Sequence, residues 1–256
     1  MSEVFKPPIK WVGGKSSLIQ QIQPLFPRDI ATFYEPFLGG FSVAQHVQAD
    51  RFVLSDANPL LIDLCRAISM DWEGLADETD QIFSTNSKDQ YLKIRALGDW
   101  TPAQFLYLNR ASWRGLWRLN KSGQMNTPYG EGKIHLVDRV NMRKMNQWLN
   151  HNDVELVHKL WAIPKEAGPT DFFYFDPPYD GTWGGYTPNG FSSVQANFFR
   201  DCLDLADRGI PWVMSNSDTP EMRGVFRDFE IKELSTNRSI NSKKRVEIVI
   251  INRGRQ

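Results

Sequence analysis

Short apolar runs, each closed by a polar or turn-forming residue, recur towards both ends of the chain. The runs at 31–35, 51–56 and 172–175 are rich in aromatic and β-branched residues, which predicts buried strands. Helical periodicity follows the first two runs, at 42–47 and at 60–68. This alternation predicts an α/β domain built on a Rossmann-like sheet, with ligands bound beyond the carboxyl ends of its strands.

The C-terminal part of the chain continues this pattern. An amphipathic helix is predicted to end at Gly209, and the last two strands are expected to form an antiparallel pair. A short helix is also predicted near the N-terminus, at 18–25. The further predicted elements are a helix at 192–208 and strands at 154–157, 211–216, 229–234 and 246–251.

The middle of the chain has a different pattern. Between 71 and 150, helical periodicity replaces the strand signals, and Trp and Asn are frequent. We therefore expect an inserted, mostly helical subdomain. The predicted division is an α/β domain formed by 1–68 and 151–256, and an inserted subdomain formed by 69–150.

Composition and length predict a globular protein with a full core. The chain has 256 residues, of which 41% are apolar. No stretch approaches the ~18 apolar residues of a membrane helix, and residues 1–15 lack a secretory signal, so we expect a cytoplasmic protein. The two cysteines, Cys65 and Cys202, fit a reducing compartment, and the four histidines lack metal-ligand spacing, so no metal site is expected.

The formal net charge is zero, but the basic residues are unevenly distributed. Ten Lys and Arg residues lie between Tyr91 and Met145, against three acidic residues. Within that segment, 107–130 combines Asn, Arg and aromatic side chains, the types that read base edges and stack on bases. Here a helix is predicted to end near Leu119, before a hairpin-like turn at 121–123. Both features favour contact with a nucleic acid, although a solvated basic face or an aromatic-rich core turn would give the same pattern.

Two turns near the predicted N-terminal strands have features of a nucleoside site. Gly39 and Gly40 follow the first strand, where the backbone can approach a ligand closely, and Asp56 ends the second, where it can accept from ribose hydroxyls. The earlier diglycine before Lys15 looks like a phosphate loop, but Ile9 stands where a Walker-type loop needs its first glycine. The sequence therefore predicts a nucleoside-containing ligand without identifying it.

The motif Asp176-Pro177-Pro178-Tyr179 directly follows a run of four aromatic residues. The prolines take the chain out of the sheet, so a carboxylate, a backbone carbonyl and an aromatic ring are presented beyond a strand end. The two oxygens could hold an amino group while the ring stacks on its base, which suits methyl transfer from a sulfonium. A base in a duplex would first be extruded, and the glycine-rich segment 180–190 could close behind it. A proline-stiffened turn with a capping aspartate is the competing interpretation.

In their order along nearly the whole chain, these motifs resemble those of the Dam-type, or D12 class, DNA adenine-N6 methyltransferases. Each motif alone is weak, but the ordered set is specific. The resemblance implies a Rossmann-like methyltransferase fold with an inserted target-recognition subdomain. The matching segments are 10–15, 35–40, 55–58, 108–110, 126–130, 176–179 and 215–219.

The resemblance also implies a donor, an acceptor and their contacts. The donor is S-adenosylmethionine, and the acceptor is an adenine flipped out of double-stranded DNA. The implied catalytic residues are Asp176, Pro177, Pro178 and Tyr179, and the implied cofactor contacts are Trp11, Lys15, Glu35, Phe37, Gly39, Asp56 and Asp176. The implied DNA contacts are Lys10, Asn109, Arg110, Arg114, Arg118 and Pro128, with Asn237, Arg238, Ser239, Lys243 and Lys244 in a late basic loop. A monomer without a metal is expected.

GATC is the expected target, because Lys10, Arg118 and Pro128 match family positions that read the flanking bases of that site. Two departures bear on these expectations. Phe41 stands where the family often has a third glycine, which leaves the shape of the cofactor turn open. Glu131 stands where members that read GATC often carry a basic residue, which leaves the exact target open. The alternatives are the same transfer to RNA adenine, cytosine N4 or a protein glutamine amide, and a DNA-binding protein without catalysis.

Overall fold

A computed structural model describes residues 4–120, 122–131, 136–161, 163–179, 193–235, 239–240, 243–244 and 246–254, with the backbone alone for 239–240 and 243–244. The strands are β1 Thr32–Glu35, β2 Arg51–Asp56, β3 Asp153–His158, β4 Phe172–Phe175, β5 Trp212–Ser217, β6 Glu230–Leu234, β7 Ser239–Ile240, β8 Lys243–Lys244 and β9 Glu247–Asn252. Seven of them form one sheet in the order β3-β2-β1-β4-β5-β9-β6, and β7 pairs with β8.

The sheet is mainly parallel, as predicted. β1 to β5 run in the same direction, whereas β9 is antiparallel to both β5 and β6. The strand order changes direction between β1 and β4, which is where doubly wound sheets bind ligands. Because β9 runs in the opposite direction, its first residue lies opposite Ser217, at the carboxyl end of β5. The predicted fold class and the antiparallel C-terminal pair are confirmed.

The helices pack on the sheet and on one another. Local signals account for several of their starts: Asn58 and Asp138 accept hydrogen bonds from the first turns of their helices, and Thr101 forms a capping box with Gln104. The bounds are α1 Ile19–Ile22, α2 Pro59–Ser84, α3 Lys88–Arg95, α4 Pro102–Ala111, α5 Arg139–His151, α6 Gln195–Asp207 and α7 Pro220–Val225.

Two predicted helices are shorter than expected. The pattern at 42–47 forms only a 3₁₀ turn, Ala44–His46, because the Ala44 N–H donates to the Glu35 carboxylate and Val47 is extended. The pattern at 18–25 forms α1 and then a 3₁₀ turn, Gln23–Leu25. Pro24 in that turn has no N–H with which to continue an α-helix.

Two further helix ends were predicted wrongly. The helix starting near residue 60 continues as α2 through a kink at Asp71 to Ser84. The helix expected to end near Leu119 stops at Ala111, because Arg114 and Gly115 have φ angles of 57° and 70°, which an α-helix cannot contain. The hairpin that follows is present: Leu119 and Met125 form its bridge, whereas Lys121 lies outside the described residues.

The four aromatic residues of β4 explain how the sheet divides the core. Phe172 and Tyr174 belong to the buried cluster on one face, and Phe173 and Phe175 to the cluster on the other, as the alternation of a strand requires. The first cluster extends without a break into α2 and α4. α2 also runs through residues 68 and 69, where the two predicted parts were separated. The division into 1–68 with 151–256 and 69–150 stays a prediction.

Candidate functional site

A buried lysine lies among acidic groups at the carboxyl edge of the sheet. The Nζ atom of Lys15 is 2.6 Å from Asp176 Oδ2, 2.6 Å from the Gly13 carbonyl oxygen and 3.5 Å from Glu247 Oε1. It also lies 4.9 Å from the centroid of the Tyr179 ring. The Tyr179 hydroxyl donates to Glu247 Oε1. Residues from the N-terminal turn, the end of β4 and the start of β9 therefore meet at one point.

The Asp176 carboxylate is held in an asymmetric environment. Oδ2 accepts a hydrogen bond from the Lys15 ammonium. Oδ1 is buried and accepts no hydrogen bond from the described residues. Burial raises the pKa of Asp176 to about 6; Lys15 opposes this rise, and the negative charge of Glu247 adds to it. At a pH above this value the ionised form predominates, and one oxygen is available as an acceptor.

Glu247 is a site residue that the sequence patterns did not predict. It is the second residue of the strand predicted at 246–251 and the first residue of β9, and on sequence grounds it is an ordinary polar residue at a strand end. A signal existed in the predicted antiparallel pairing, because an antiparallel last strand begins at the edge where the parallel strands end. Nothing in the local sequence, however, specifies that its partner is Lys15.

The glycine turn after β1 is built around Asp56. Asp56 Oδ2 accepts the Gly39 N–H at 2.9 Å, and Oδ1 accepts the Asn58 N–H at 2.8 Å. Burial raises the pKa of Asp56 to about 6, although these backbone donors and the nearby His158 oppose the rise. The Ala57 N–H is a third backbone donor to this carboxylate. Two carboxylate oxygens offer about four acceptor sites, so the group can also receive a hydroxyl.

Trp11 lies closely against the same turn. A Cβ at Gly40 would be 2.8 Å from the Trp11 Cβ, and one at Gly39, whose φ is +51°, would be 3.0 Å from Trp11 Cδ1. Glycine is therefore needed for the indole to approach the backbone. Phe41, at the position where a third glycine was expected, nonetheless adopts a φ of 63°, a left-handed conformation that glycine would adopt without strain.

Two further predicted cofactor residues have structural contacts. Glu35 is 2% exposed, and its carboxylate accepts the Ala44 N–H at 3.0 Å; burial raises its pKa well above the usual range. Phe37 packs edge-on against Phe198 of α6. Both residues thus help to shape the turn, and whether either touches a cofactor stays a prediction.

Several predicted DNA contacts lie together on an exposed surface. Lys10, Arg114, Arg118 and Pro128 are all exposed. Their segments are joined by backbone contacts: the Trp113 N–H donates to the Pro128 carbonyl at 2.9 Å. A Cβ at Gly115 would be 2.6 Å from the Lys10 Cβ, so the Lys10 side chain lies against that turn. We call the surface formed by these four residues and Trp113 the basic face.

Trp113 was not predicted as a site residue. Its side chain is 46% exposed, which is unusual for tryptophan, and the Arg114 guanidinium lies 4.6 Å from its ring centroid. The Arg118 Nε donates to Asn126 Oδ1 at 2.8 Å across the hairpin. The basic face therefore combines a stacked aromatic–arginine pair with an arginine held by a neighbouring amide.

Asn109 does not lie on this surface. It is fully buried: its Oδ1 accepts the Lys10 N–H at 2.9 Å, and its Nδ2 donates to the carbonyl oxygens of Lys10 and Gly115. Its donors and acceptors are thus paired inside the core, and the direct DNA contact expected of it stays a prediction. Asn109 holds Lys10 beside the turn.

Arg110 is also engaged in contacts within the protein, and its predicted contact with DNA stays a prediction. Its Nη1 donates to the Pro8 carbonyl and its Nη2 to the Leu136 carbonyl, and burial lowers the pKa of its guanidinium. Two other cations of the basic segment are engaged in the same way. Arg95 donates to the Thr127 carbonyl, and Arg139, although exposed, pairs with two aspartates of α2. Charge counting therefore overestimated the number of arginines without a partner inside the protein.

The late basic loop is only partly described. The backbones of Ser239 and Ile240 in β7 and of Lys243 and Lys244 in β8 form a hairpin. Asn237 and Arg238 lie outside the described residues, as does the glycine-rich segment 180–190 that was expected to cover the site. The predicted roles of these residues stay predictions.

Three further findings concern the described residues as a whole. Cys65 and Cys202 are free and buried. Among the described side chains, no group of three or more His, Cys, Asp or Glu residues is arranged to hold a metal ion. A search of the same residues finds no helix whose length and apolar character would let it span a membrane.

Comparison with known proteins gives a consistent result. Residues 11–240 match the family model for the D12 class N6 adenine-specific DNA methyltransferases. The type II methyltransferase M1.LlaDCHI of Lactococcus lactis subsp. cremoris is 31% identical over 273 residues, covering 98% of this chain and 96% of the relative. The Retron Ec67 DNA adenine methylase of Escherichia coli is 30% identical, with 96% and 91% covered. A DNA adenine methylase of Haemophilus influenzae is 29% identical, with 95% and 91% covered.

Proposed function

The chain belongs to the D12 class of N6 adenine-specific DNA methyltransferases, and on that premise we propose how it acts. It transfers a methyl group from S-adenosylmethionine to N6 of an adenine that has been flipped out of a short duplex site. Asp176, Pro177, Pro178 and Tyr179 hold the adenine.

The observation that carries this proposal is the asymmetric environment of Asp176. Lys15 pairs with Oδ2 and favours the ionised carboxylate, and Oδ1 accepts nothing from the described residues. An adenine amino group could donate to Oδ1, which would localise the lone pair of N6 for in-line attack. Tyr179 offers a face for the base, worth about 1–3 kcal/mol in comparable stacking contacts. Asp176 thus orients the amino nitrogen and does not act as a free-standing general base.

The turn after β1 suits the donor. Gly39 and Gly40 let Trp11 lie against the backbone, and the Asp56 oxygens can accept from ribose hydroxyls. Trp11, Gly39, Asp56 and the buried Lys15 would therefore hold S-adenosylmethionine. When bound, that cofactor supplies an electrophilic methyl group on a sulfonium, so the transfer needs no metal ion.

DNA is proposed to bind on the basic face. Lys10 and Arg118 are exposed donors for base edges, and Arg114 with Trp113 offers a cation and an aromatic surface. Because Lys10, Arg118 and Pro128 match family positions that read GATC, that sequence is the proposed target. Glu131, which stands where members that read GATC often carry a basic residue, makes this target worth testing directly. An adenine within duplex DNA must leave the stack to reach Asp176. We further propose a cytoplasmic monomer whose inserted segment, 69–150, recognises the target.

The test is to measure methyl transfer to duplex DNA and to RNA with S-adenosylmethionine, and to sequence DNA from expressing cells by a methylation-sensitive method. Methylated adenine at one short duplex site is expected, and methylated RNA alone would contradict the proposal.

Asp176→Ala is expected to lower kcat by at least about 10²-fold, the usual cost of removing a group that acts on the reacting atoms, with DNA affinity within about twofold. A matched control is Asp153→Ala, which removes an exposed carboxylate paired with Arg51 at the start of β3. Full activity of Asp176→Ala would refute the proposed role.

A further inference from the structure

Glu247 is a second carboxylate in the Asp176 cluster, and it comes from a distant part of the sequence. Its side chain is 17% exposed and lies 3.5 Å from the Lys15 Nζ. Its Oε1 also accepts the Tyr179 hydroxyl. One lysine is therefore shared by two carboxylates. The Tyr179 hydroxyl donates to Glu247 and also helps to lower the pKa of Asp176.

The hydrogen bond restricts the aromatic ring. A tyrosine side chain has two rotatable bonds, and its hydroxyl oxygen lies on the axis of the second, so anchoring the hydroxyl fixes the position of the ring. The Lys15 ammonium, 4.9 Å from the ring centroid, lies over one face and restricts the plane. Because the acceptor is a carboxylate, the bond is of the stronger, charge-assisted kind. Glu247 lies on β9, between β5 and β6 in the sheet, which gives the anchor a rigid support.

We infer that Glu247 is a positioning residue for methyl transfer: it anchors the Tyr179 ring against which the target adenine stacks, and it shares Lys15 with Asp176. The inference rests on the proposed function, in which Tyr179 is that stacking face. Glu247 acts through Tyr179 and Lys15 and does not touch the reacting atoms.

The negative charge of Glu247, next to the shared lysine, should also affect how the rate of methyl transfer depends on pH. The charge of Glu247 raises the pKa of Asp176, so removing that charge lowers it. The acid limb of kcat/KM, which reports the free enzyme and below which Asp176 is protonated and cannot accept from the amino group, then moves to lower pH. Among the described residues, the titratable groups that face Asp176 are Lys15, Glu247, Tyr179, Tyr174 of β4 and Glu35 of β1.

The experiment compares Glu247→Gln and Glu247→Ala with the wild-type enzyme. Glutamine retains an acceptor for the Tyr179 hydroxyl and removes the charge, whereas alanine removes both. We expect Glu247→Ala to lower kcat by about 10- to 100-fold, as for loss of a hydrogen bond to a charged group, with KM for DNA nearly unchanged. Glu247→Gln should retain most of kcat and shift the acid limb to lower pH. Glu233→Gln is the control, because Glu233 is exposed and pairs with Arg223.

Two further measurements make the outcome decisive. DNA carrying 2-aminopurine at the target position reports base extrusion, and its fluorescence should change less with Glu247→Ala than with the wild type. In a Tyr179→Phe background, Glu247→Ala should lower kcat little further. If both Glu247 variants only lower the melting temperature, without moving the acid limb or the fluorescence, Glu247 is structural and the inference is wrong. If wild-type enzyme does not methylate adenine in DNA, the proposed function itself fails.

Discussion

Replacing the buried Lys15 by methionine tests the electrostatic arrangement of the site in the protein without cofactor or DNA. Methionine has a similar length, so the main change is the loss of the cation. Asp176 and Glu247 would then face each other without the charge that lies 2.6 Å from one carboxylate and 3.5 Å from the other.

The magnitude follows from those distances. At an effective dielectric constant of about 20, the Lys15–Asp176 pair attracts by about 6 kcal/mol and the Lys15–Glu247 pair by about 5 kcal/mol. Dehydrating the buried ammonium, which costs several kcal/mol, offsets much of this attraction. Removing one partner of such a buried pair typically costs about 3–5 kcal/mol. We expect a loss of this size in the free energy of unfolding at pH 8.

The loss should depend on pH in a defined direction. The folded-state pKa of Asp176 is about 6, above its ordinary 3.8. In the wild type, this group therefore lowers the free energy of unfolding progressively as the pH rises from 3.8 to about 6. Without Lys15 that pKa rises further. Between about pH 6 and the new pKa the variant retains a proton that the wild type has lost. There, the stability difference grows by up to about 1.4 kcal/mol per pH unit.

Urea unfolding at pH 5.5 and pH 8 measures this difference. Lys232→Met is the matched control, because it removes an exposed lysine 3.0 Å from Glu230 and should cost at most about 1 kcal/mol. If Lys15→Met costs no more than the control, or if its cost is the same at both pH values, Lys15 does not hold Asp176 as an ionised carboxylate.

Two other substitutions test the cofactor turn and the basic face. Gly40→Ala would place a Cβ 2.8 Å from the Trp11 Cβ, so we expect a stability loss of about 1–3 kcal/mol and weaker binding of S-adenosylmethionine by calorimetry. Gly168→Ala, with no described atom within 4 Å of the added Cβ, should change neither. Arg118→Ala should reduce discrimination at one base position by about 1–3 kcal/mol, measured as kcat/KM for the target and its single-base variants. An equal loss on every sequence would identify Arg118 as a phosphate contact.

Structural features that are specified by residues adjacent in the sequence were predictable. The four aromatic residues of β4 and the prolines after them predicted a buried strand and an exit from the sheet, and both are observed. Asp56 was predicted at the end of β2, because an apolar run, this acidic residue and then the helix-capping Asn58 follow one another in the sequence. Helix ends were less predictable, since α4 stops where Arg114 adopts a left-handed conformation that its own sequence does not favour.

Burial of individual polar side chains was not predictable from local patterns. Asn109 and Arg110 belong to the segment that resembles a DNA-reading motif, but the N-terminal segment packs across them and uses their hydrogen-bonding groups. Residues of the same type are exposed at Arg114 and Arg118. The difference is a property of packing and not of composition.

The sequence by itself determined the family, the fold class and the motif Asp176–Tyr179, because each depends on residue types in a fixed local order. Only the tertiary structure decided that Lys15 is the cation beside Asp176 and that Glu247 shares it. These three residues are separated by many positions and meet because β9 runs against its neighbours and begins at the edge where β4 ends. A contact of this kind is determined by strand direction and register, which no short stretch of sequence specifies.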